Sequence, residues 1–210
     1  MNNLFDSIQQ SVRDYYTDKV LAFGETPKGV DWNSLQSQEL RFDQLLQICD
    51  QDINFSLNDL GCGYGYLLDY MRKKTLEFTY RGYDLSEEMI RRARVRHVNS
   101  GNCQFFSNND ALQIADYAVA SGILNVKLNH STADWEQYVL STLHTLNDFS
   151  QRGFAFNVLT SYSDQEYMRA DLYYADPCFY FDYCKRNFSR NVVLLHDYDL
   201  YEFTMLIRKN

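Results

Sequence analysis

Apolar residues recur along the chain at two different spacings, and the spacing predicts where helices and strands lie. Near the N terminus they follow a helical period, whereas many later segments alternate or run continuously apolar, as strands do. Helices are predicted over residues 3–23, 35–49, 66–74, 87–98 and 133–149. Strands are predicted over residues 53–60, 78–83, 103–106, 118–121, 153–159, 192–196 and 200–207. After an all-helical start, strands and helices alternate, which is the order of a doubly wound α/β domain.

Capping residues predict where several of these helices begin. Asn33 or Ser34 suits the N-cap position of the second helix, and Ser86 suits that of the fourth. Farther along the chain, Asp176 is followed by Pro177, which is the usual order of an N-cap and a first helical residue. A further helix is therefore predicted to begin at this proline.

The composition fits a single α/β unit and narrows the choice of partners. The chain has 210 residues, of which 45% are hydrophobic and 23% charged, so it can bury one sizeable core. Its formal net charge of −8 argues against a nucleic-acid partner, which would require a basic face. A polar N terminus without a long apolar run predicts a cytoplasmic protein with no membrane partner. The 5 cysteines lack the spacing of metal ligands, so neither a metal site nor a disulfide framework is expected.

A glycine-rich turn follows the first predicted strand and is the strongest chemical signal in the chain. The strand carries Asp59, and glycines then stand at Gly61, Gly63 and Gly65. The dinucleotide fingerprint G-x-G-x-x-G needs its third glycine where Tyr66 stands here, so the spacing disfavours a nicotinamide cofactor. Glycine lets a ligand approach the backbone closely and permits a positive φ. A turn that binds nothing is the plain alternative.

A second acid ends the next predicted strand. In the run YRGYDLSEEMIRRAR, Asp84 lies at the end of the strand and Ser86 precedes the following helix. A carboxylate at this place can accept hydrogen bonds from both hydroxyls of a ribose. The turn and this acid together favour a cofactor that contains a nucleoside.

Four motifs, in order, resemble those of the class I S-adenosylmethionine-dependent methyltransferases. DLGCGYG is similar to motif I, GYDLSEEMI to motif II, FFSNNDA to the segment after the third strand, and ADYAVASGILN to motif IV. The resemblance covers residues 59–157 in ordered motifs. It implies a Rossmann-like doubly wound sheet of seven strands in the order 3-2-1-4-5-7-6, with the last strand antiparallel. It also implies S-adenosylmethionine as cofactor, S-adenosylhomocysteine as product and no need for a metal.

The resemblance also implies roles for individual residues of the cofactor site. It implies that Asp84 holds the ribose, that Leu85 and Met89 lie near the adenine, and that Ser121 lies beside the reactive methyl. Arg41 is the candidate for the cofactor's carboxylate, and a solvent-exposed Arg41 is the alternative. The full predicted set is Arg41, Asp59, Gly61, Cys62, Gly63, Gly65, Asp84, Leu85, Met89, Asn109, Asp110, Ala111 and Ser121.

Two segments outside the shared motifs are expected to cover the site and select the acceptor. Residues 1–50 should form an N-terminal helical lid, and residues 51–210 a methyltransferase core that carries a further lid segment, 161–190. The predicted acceptor pocket comprises Tyr16, Trp32, Asn33, Asn125, Asn157, Tyr173 and Tyr174. The tyrosines could equally well cover the core.

A histidine near the C terminus is the candidate general base. His196, with Asp197 beside it, ends the sixth predicted strand, whose carboxyl end should face the cofactor. A histidine that merely closes a strand is the alternative, and an amine acceptor would need no base. His97 and His144 are expected at the surface.

The predicted activity is methyl transfer to a small-molecule acceptor. The acidic charge argues against phosphate-rich polymers, and the short lid segments favour a small metabolite. The resemblance to the family implies a hydroxyl of a sugar, a nucleotide sugar or a surface-polysaccharide precursor as the acceptor. A non-catalytic S-adenosylmethionine-binding partner protein is the first alternative. A nicotinamide-dependent oxidoreductase is the second, although the glycine spacing disfavours it.

Overall fold

The computed structural model describes residues 2–49, 52–74, 77–107 and 112–209, with side chains from residue 4 onward. Its α-helices are α1 (Asn2–Phe23), α2 (Leu35–Leu46), α3 (Tyr66–Lys73), α4 (Glu87–Arg96), α5 (Thr132–Asp148) and α6 (Pro177–Asn187). Its strands are β1 (Phe55–Leu60), β2 (Phe78–Tyr83), β3 (Cys103–Phe106), β4 (Ala115–Ala120), β5 (Ser150–Leu159), β6 (Asn191–Leu195) and β7 (Glu202–Arg208). Short 3-10 helices cover Pro27–Val30 and Gln165–Tyr167.

All the named strands belong to one sheet, and its topology confirms the predicted fold. The strand order is β3-β2-β1-β4-β5-β7-β6. The strands β1 to β5 pair in parallel, whereas β7 is antiparallel to both of its neighbours, β5 and β6. The carboxyl ends of β1 to β5 therefore meet at one edge of the sheet, which is where such folds bind their ligands.

Buried apolar side chains pack on both faces of this sheet. On one face, α1, α5 and α6 contribute residues such as Val12, Trp135 and Tyr180 to a single cluster. On the other face, α2, α3 and α4 contribute residues such as Leu45 and Ile90. The molecule is thus a sheet between two helical layers, as the alternation of predicted elements indicates.

The predicted N-caps are in place. Ser34 Oγ accepts a hydrogen bond from Ser37 N, and Ser86 Oγ accepts one from Met89 N. The Asp176 carboxylate caps α6, whose first residue is the predicted proline. Each cap satisfies backbone N–H groups that a helix start leaves unpaired, which explains why these three helices begin where the sequence indicates.

The N-terminal helix lies against the loops at the carboxyl edge of the sheet. Arg13 Nε donates to Leu85 O at 3.1 Å, just beyond β2, and Thr17 Oγ1 lies 2.7 Å from Ser86 Oγ. These contacts place α1 beside the turn that follows β2. No helix in the described ranges is both long and apolar enough to cross a membrane.

Candidate active site

The glycine-rich turn is held in a backbone conformation that requires glycine. Gly61, Gly63 and Gly65 have φ values of +76°, +54° and +82°, in the left-handed region. Neighbouring side chains fill the space that a Cβ would occupy: Ile123 Cγ2 lies 2.0 Å from that position at Gly61, and His97 Nε2 lies 2.9 Å from it at Gly65. His97, expected at the surface, is therefore buried beneath the turn. The glycines serve packing inside the protein as well as any approach of a ligand.

Asp84 joins this turn to the helix that follows β2. One carboxylate oxygen accepts from Gly63 N at 2.9 Å, and the other accepts from Ser86 N at 2.9 Å. Burial raises the pKa of Asp84 to about 6, although these two hydrogen bonds oppose the rise. Each oxygen can accept further bonds, so the carboxylate is fixed in place and still open to a ligand.

Asp59 places a second carboxylate beneath the same turn. Its side chain is 2% exposed, and Tyr80 donates its hydroxyl to it at 2.5 Å. Burial raises the pKa of Asp59 to about 7, and within the described residues it has no cationic partner. A buried acid at this position disfavours a negatively charged pyrophosphate and favours a neutral or cationic ligand, which further weighs against a dinucleotide.

Two adjoining cavities open beside Asp84. The main cavity runs from the glycine turn to Trp32 and encloses about 1100 Å³ of empty space, part of it open to solvent. The side cavity, about 780 Å³ by the same measure, lies between α1, α5 and the ends of β1 and β2. Tyr16, Gly61, Asp84 and Ile123 border both. Two adjoining cavities that meet at Asp84 suit a cofactor and a small second substrate.

Most of the predicted site residues border these cavities. Those that line the main cavity are Tyr16, Trp32, Asn33, Arg41, Asp59, Gly61, Cys62, Gly63, Asp84, Met89, Ser121 and Asn125. Leu85 lines the side cavity. Asn109, Asp110 and Ala111, predicted near the adenine, lie outside the described residues.

Three residues predicted for the acceptor pocket lie behind its wall instead. Tyr173 is 3% exposed, and its hydroxyl lies 2.9 Å from that of Tyr180, within the core. Asn157 is fully buried and accepts a hydrogen bond from Gly122 N. The hydroxyl of Tyr174 accepts from Arg169 N rather than facing the cavity. These side chains support the loops that form the pocket.

The structure also corrects the position expected for the general base. His196 and Asp197 are exposed, and neither borders the main cavity or the side cavity. The His196 ring contacts Tyr162 and Phe203. The carboxyl end of β6 does lie at the expected edge, but β6 is the outermost strand and β7 separates it from β5. In the described part of the chain, no histidine borders either cavity.

Arg41 lies in the cavity wall and is 8% exposed, so the solvent-exposed alternative is wrong. Its Nε forms an ion pair with Glu202, and its Nη1 donates to Ser37 O at 2.7 Å. The guanidinium carbon lies 4.0 Å from the centre of the Trp32 ring. Glu202 was not among the predicted site residues.

Other residues that line the main cavity were not predicted from the sequence. Asp31 lines the main cavity with φ of +62°, and its carboxylate accepts from Tyr15 OH at 2.7 Å and Lys19 Nζ at 2.6 Å. Arg169, from the 161–190 segment, borders the same cavity. Asp31 directly precedes Trp32, which was predicted for the acceptor pocket, so its position could have indicated it. Nothing in the local sequence distinguishes Arg169 from the other arginines.

Unpaired polar atoms in the cavity wall test whether S-adenosylmethionine fits. Ser121 Oγ and Gln38 Oε1 are buried without a hydrogen-bond partner within the described residues, and both residues line the main cavity. Leaving such atoms unpaired costs about 1–3 kcal/mol each. An ammonium group donates up to three hydrogen bonds, and the adjacent Asp59 favours a cation. The amino acid part of the cofactor fits this wall, and its ribose hydroxyls fit Asp84.

Comparisons with known proteins agree with this geometry. The family model described as "Methyltransferase domain" matches residues 58–148. A Mycobacterium tuberculosis protein named "Putative methyltransferase Rv1506c" is 54% identical over 155 residues, which cover 74% of this chain and 93% of that protein.

Solved structures share the fold at low identity. The magnesium protoporphyrin IX methyltransferase of Synechocystis, with bound S-adenosylhomocysteine, has a TM-score of 0.66 at 16% identity, covering 96% of this chain and 99% of that one. An S-adenosylmethionine-dependent methyltransferase of Leishmania major has a TM-score of 0.63 at 15% identity, covering 98% and 86%. The chain therefore belongs to the class I S-adenosylmethionine-dependent methyltransferases and uses S-adenosylmethionine as its cofactor.

Proposed function

We propose that the two cavities divide the cofactor between them. Asp84, which borders both, binds the ribose hydroxyls, and the side cavity with Leu85 receives the adenine. The amino acid part then extends into the main cavity, toward Asp59 and Ser121. This arrangement would give the unpaired hydroxyl of Ser121 a partner and set a cation beside Asp59.

We further propose that the acceptor is a small polar molecule methylated on a hydroxyl, such as a sugar, a nucleotide sugar or a surface-polysaccharide precursor. The observation that carries this proposal is the outer part of the main cavity. The residues that line it there include Trp32, Asn33, Asn125, Asp31 and Arg169. Amides and carboxylates bind neighbouring hydroxyls, and an indole packs on the apolar face of a sugar ring.

The bound cofactor supplies an electrophilic methyl group on a sulfonium. The chain's contribution is to orient the acceptor hydroxyl in line with that methyl and to exclude water. As the new oxygen–carbon bond forms and the carbon–sulfur bond breaks, the hydroxyl proton must leave. Asp31 is the carboxylate in the outer cavity that would accept it, since Tyr15 and Lys19 hold it in place.

The acceptor class is tested with methyl-labelled S-adenosylmethionine and panels of sugars, nucleotide sugars, small amines and RNA. Transfer to sugar hydroxyls is expected, and label found only in RNA or only in amines would refute the proposal. On the identified acceptor, Asp31→Asn should lower kcat by about a hundredfold, since base catalysis contributes about 10²–10⁴-fold. S-adenosylhomocysteine affinity should stay within about threefold.

Asp43→Asn is the matched control for Asp31→Asn. Asp43 likewise accepts from a tyrosine hydroxyl, that of Tyr70, and from a lysine ammonium, that of Lys74, but it borders neither cavity. Its replacement should leave kcat unchanged. Equal losses in both variants would show that Asp31 acts only through the stability of its surroundings.

A further inference from the structure

Glu202 is a carboxylate buried directly behind the wall of the main cavity. It is 0% exposed, and in β7 it pairs with Leu159 of β5, which itself lines the cavity. Its cationic partner is Arg41, whose Nε lies in ion-pair contact with Oε1, and neither carboxylate oxygen has a hydrogen-bond partner within the described residues. Glu202 borders neither cavity, so any effect that it has on a ligand must pass through Arg41.

The pair is costly to bury, which calls for a reason beyond stability. Burial raises the pKa of Glu202 to about 7, against the opposing effect of Arg41. Pairs of this kind seldom stabilise a fold more than well-packed apolar side chains of similar volume would. An apolar pair could fill the same space between α2 and β7. An apolar pair, however, would contain no guanidinium to orient toward the cavity.

Three contacts fix the plane of that guanidinium. Its Nε faces Glu202, its Nη1 donates to Ser37 O, and its carbon stacks over the ring of Trp32. Its Nη2 has no hydrogen-bond partner within the described residues, and Arg41 borders the main cavity. The free edge at Nη2 can therefore donate to a carboxylate or phosphate oxygen of a ligand in the cavity.

Trp32 is held by the same arrangement. The benzene edge of the indole packs on Gly122, where an added Cβ would lie 2.3 Å from Trp32 Cζ2. Gly122 follows Ser121, at the end of β4. The indole therefore spans the distance from the ion pair to the loop beside the cofactor.

We propose that Glu202 is a positioning residue that acts through Arg41. It holds the guanidinium so that the free edge binds an anionic oxygen group of a ligand, and it keeps Trp32 seated against Gly122. The inference rests on the cofactor placement proposed above. The anionic group could come from two sources, the carboxylate of the cofactor or an acidic group of the acceptor, and the two predict different results.

The test is Glu202→Gln, with calorimetric binding of S-adenosylhomocysteine, its decarboxylated analogue and 5′-methylthioadenosine. If the cofactor supplies the carboxylate, the wild-type preference for S-adenosylhomocysteine over the decarboxylated analogue should fall at least fivefold in the variant. Methylthioadenosine, which lacks the amino acid part, should bind within twofold of wild type. If the acceptor supplies the anion, this preference stays constant, and KM rises at least fivefold for an anionic acceptor but not for a neutral one.

If the Glu202→Gln variant folds and shows neither of these two shifts, the inference is overturned. Thr204→Val is the control, because Thr204 is a buried polar residue of the same strand that hydrogen-bonds Tyr198 and borders neither cavity. It should lower the melting temperature without changing either ratio. Wild-type protein that binds none of the three nucleosides would instead refute the cofactor placement itself.

A double variant keeps the test decisive if Glu202→Gln leaves a buried arginine unpaired and does not fold. Arg41→Met and Arg41→Met/Glu202→Gln both lack the guanidinium, and the double variant lacks both charges. The two should show the same loss of preference, since Glu202 acts only through Arg41. A further change on adding Glu202→Gln to Arg41→Met would overturn the inference.

Discussion

Replacing Asp84 by asparagine tests the centre of the proposed cofactor site. The two carboxylate oxygens face different backbone donors, Gly63 N and Ser86 N. An amide of the same size can present an oxygen to only one of them and must turn its NH2 group toward the other. The variant therefore weakens the link between the glycine turn and α4 as well as removing the charge that would hold the ribose.

The expected loss follows from the bonds to the two ribose hydroxyls. A hydrogen bond to a charged group contributes about 1.5–3 kcal/mol, and a neutral one about half of that. Asparagine keeps one acceptor and loses the charge, so binding should weaken by about 2–3 kcal/mol, or roughly 30- to 150-fold. Since burial already disfavours the charge, raising the pKa of Asp84 to about 6, its removal should cost the apo protein little stability at neutral pH.

Calorimetry with S-adenosylhomocysteine measures this loss of binding free energy. The 2′-deoxy analogue, which lacks one ribose hydroxyl, shows whether the loss comes from the ribose. The analogue should bind wild-type protein much more weakly than the parent compound, and Asp84→Asn should reduce that difference. Asp116→Asn is a matched control, because Asp116 also accepts from a backbone N–H and a hydroxyl, both of Ser56, while bordering neither cavity. Affinity within threefold of wild type in Asp84→Asn, with the deoxy difference intact, would refute the assignment of Asp84 to the ribose.

Three further predictions concern pH, the exposed histidine and the glycine turn. Burial raises the pKa of Asp59 to about 7 and that of Asp84 to about 6, so the folded protein binds protons at these carboxyl groups more tightly than the unfolded chain does. The stability that this proton binding gives the apo protein is complete below about pH 4 and is lost as pH rises toward 7. Thermal melts should show this decline, and added S-adenosylhomocysteine should stabilise more at pH 7.5 than at 5.5; equal stabilisation would contradict it. His196→Ala should retain near wild-type kcat, because the ring lies outside both cavities, and a hundredfold loss per folded molecule would restore it as a base. Gly61→Ala should lower the melting temperature markedly, since its φ is +76° and Ile123 Cγ2 lies 2.0 Å from the new Cβ; if Ile123→Ala rescues none of this loss, the contact is not the cause.

The sheet and its ligand-binding edge could be predicted because their signals are local. The glycines and the acid at the end of β2 lie within a few residues of the turns that they form, and an N-cap such as Ser86 bonds to the first turn of its own helix. These signals depend only on neighbouring residues, so they can be interpreted without knowing the rest of the fold. The strand order then followed from the resemblance to a family, since no single stretch of sequence specifies which strands are neighbours.

Side-chain direction in the variable segments could not be predicted in the same way. Tyr173 and Tyr174 are adjacent aromatic residues in an irregular segment, where no period assigns one to the core and the next to a pocket. His196 illustrates a related limit. The end of β6 lies at the predicted edge of the sheet. The distance from His196 to the cavities could not be predicted, because it depends on β7, which lies between β6 and β5.

Arg41 and Glu202 show why a site residue can be recognised while its partner is missed. Arg41 stands on an amphipathic helix before the glycine turn, where its type and place already suggest an anion. Glu202 is the first residue of a strand whose next residues are almost all apolar. From the sequence alone, it is therefore expected to be a solvent-exposed polar residue at the end of a hairpin. Only the antiparallel register of β7 against β5, with Leu159 opposite Glu202, brings the carboxylate behind the cavity wall. That register follows from packing along the full length of both strands, a property of the whole sheet. A buried charge in an otherwise apolar strand is nonetheless expensive, and the expense is visible in the sequence before its partner is known.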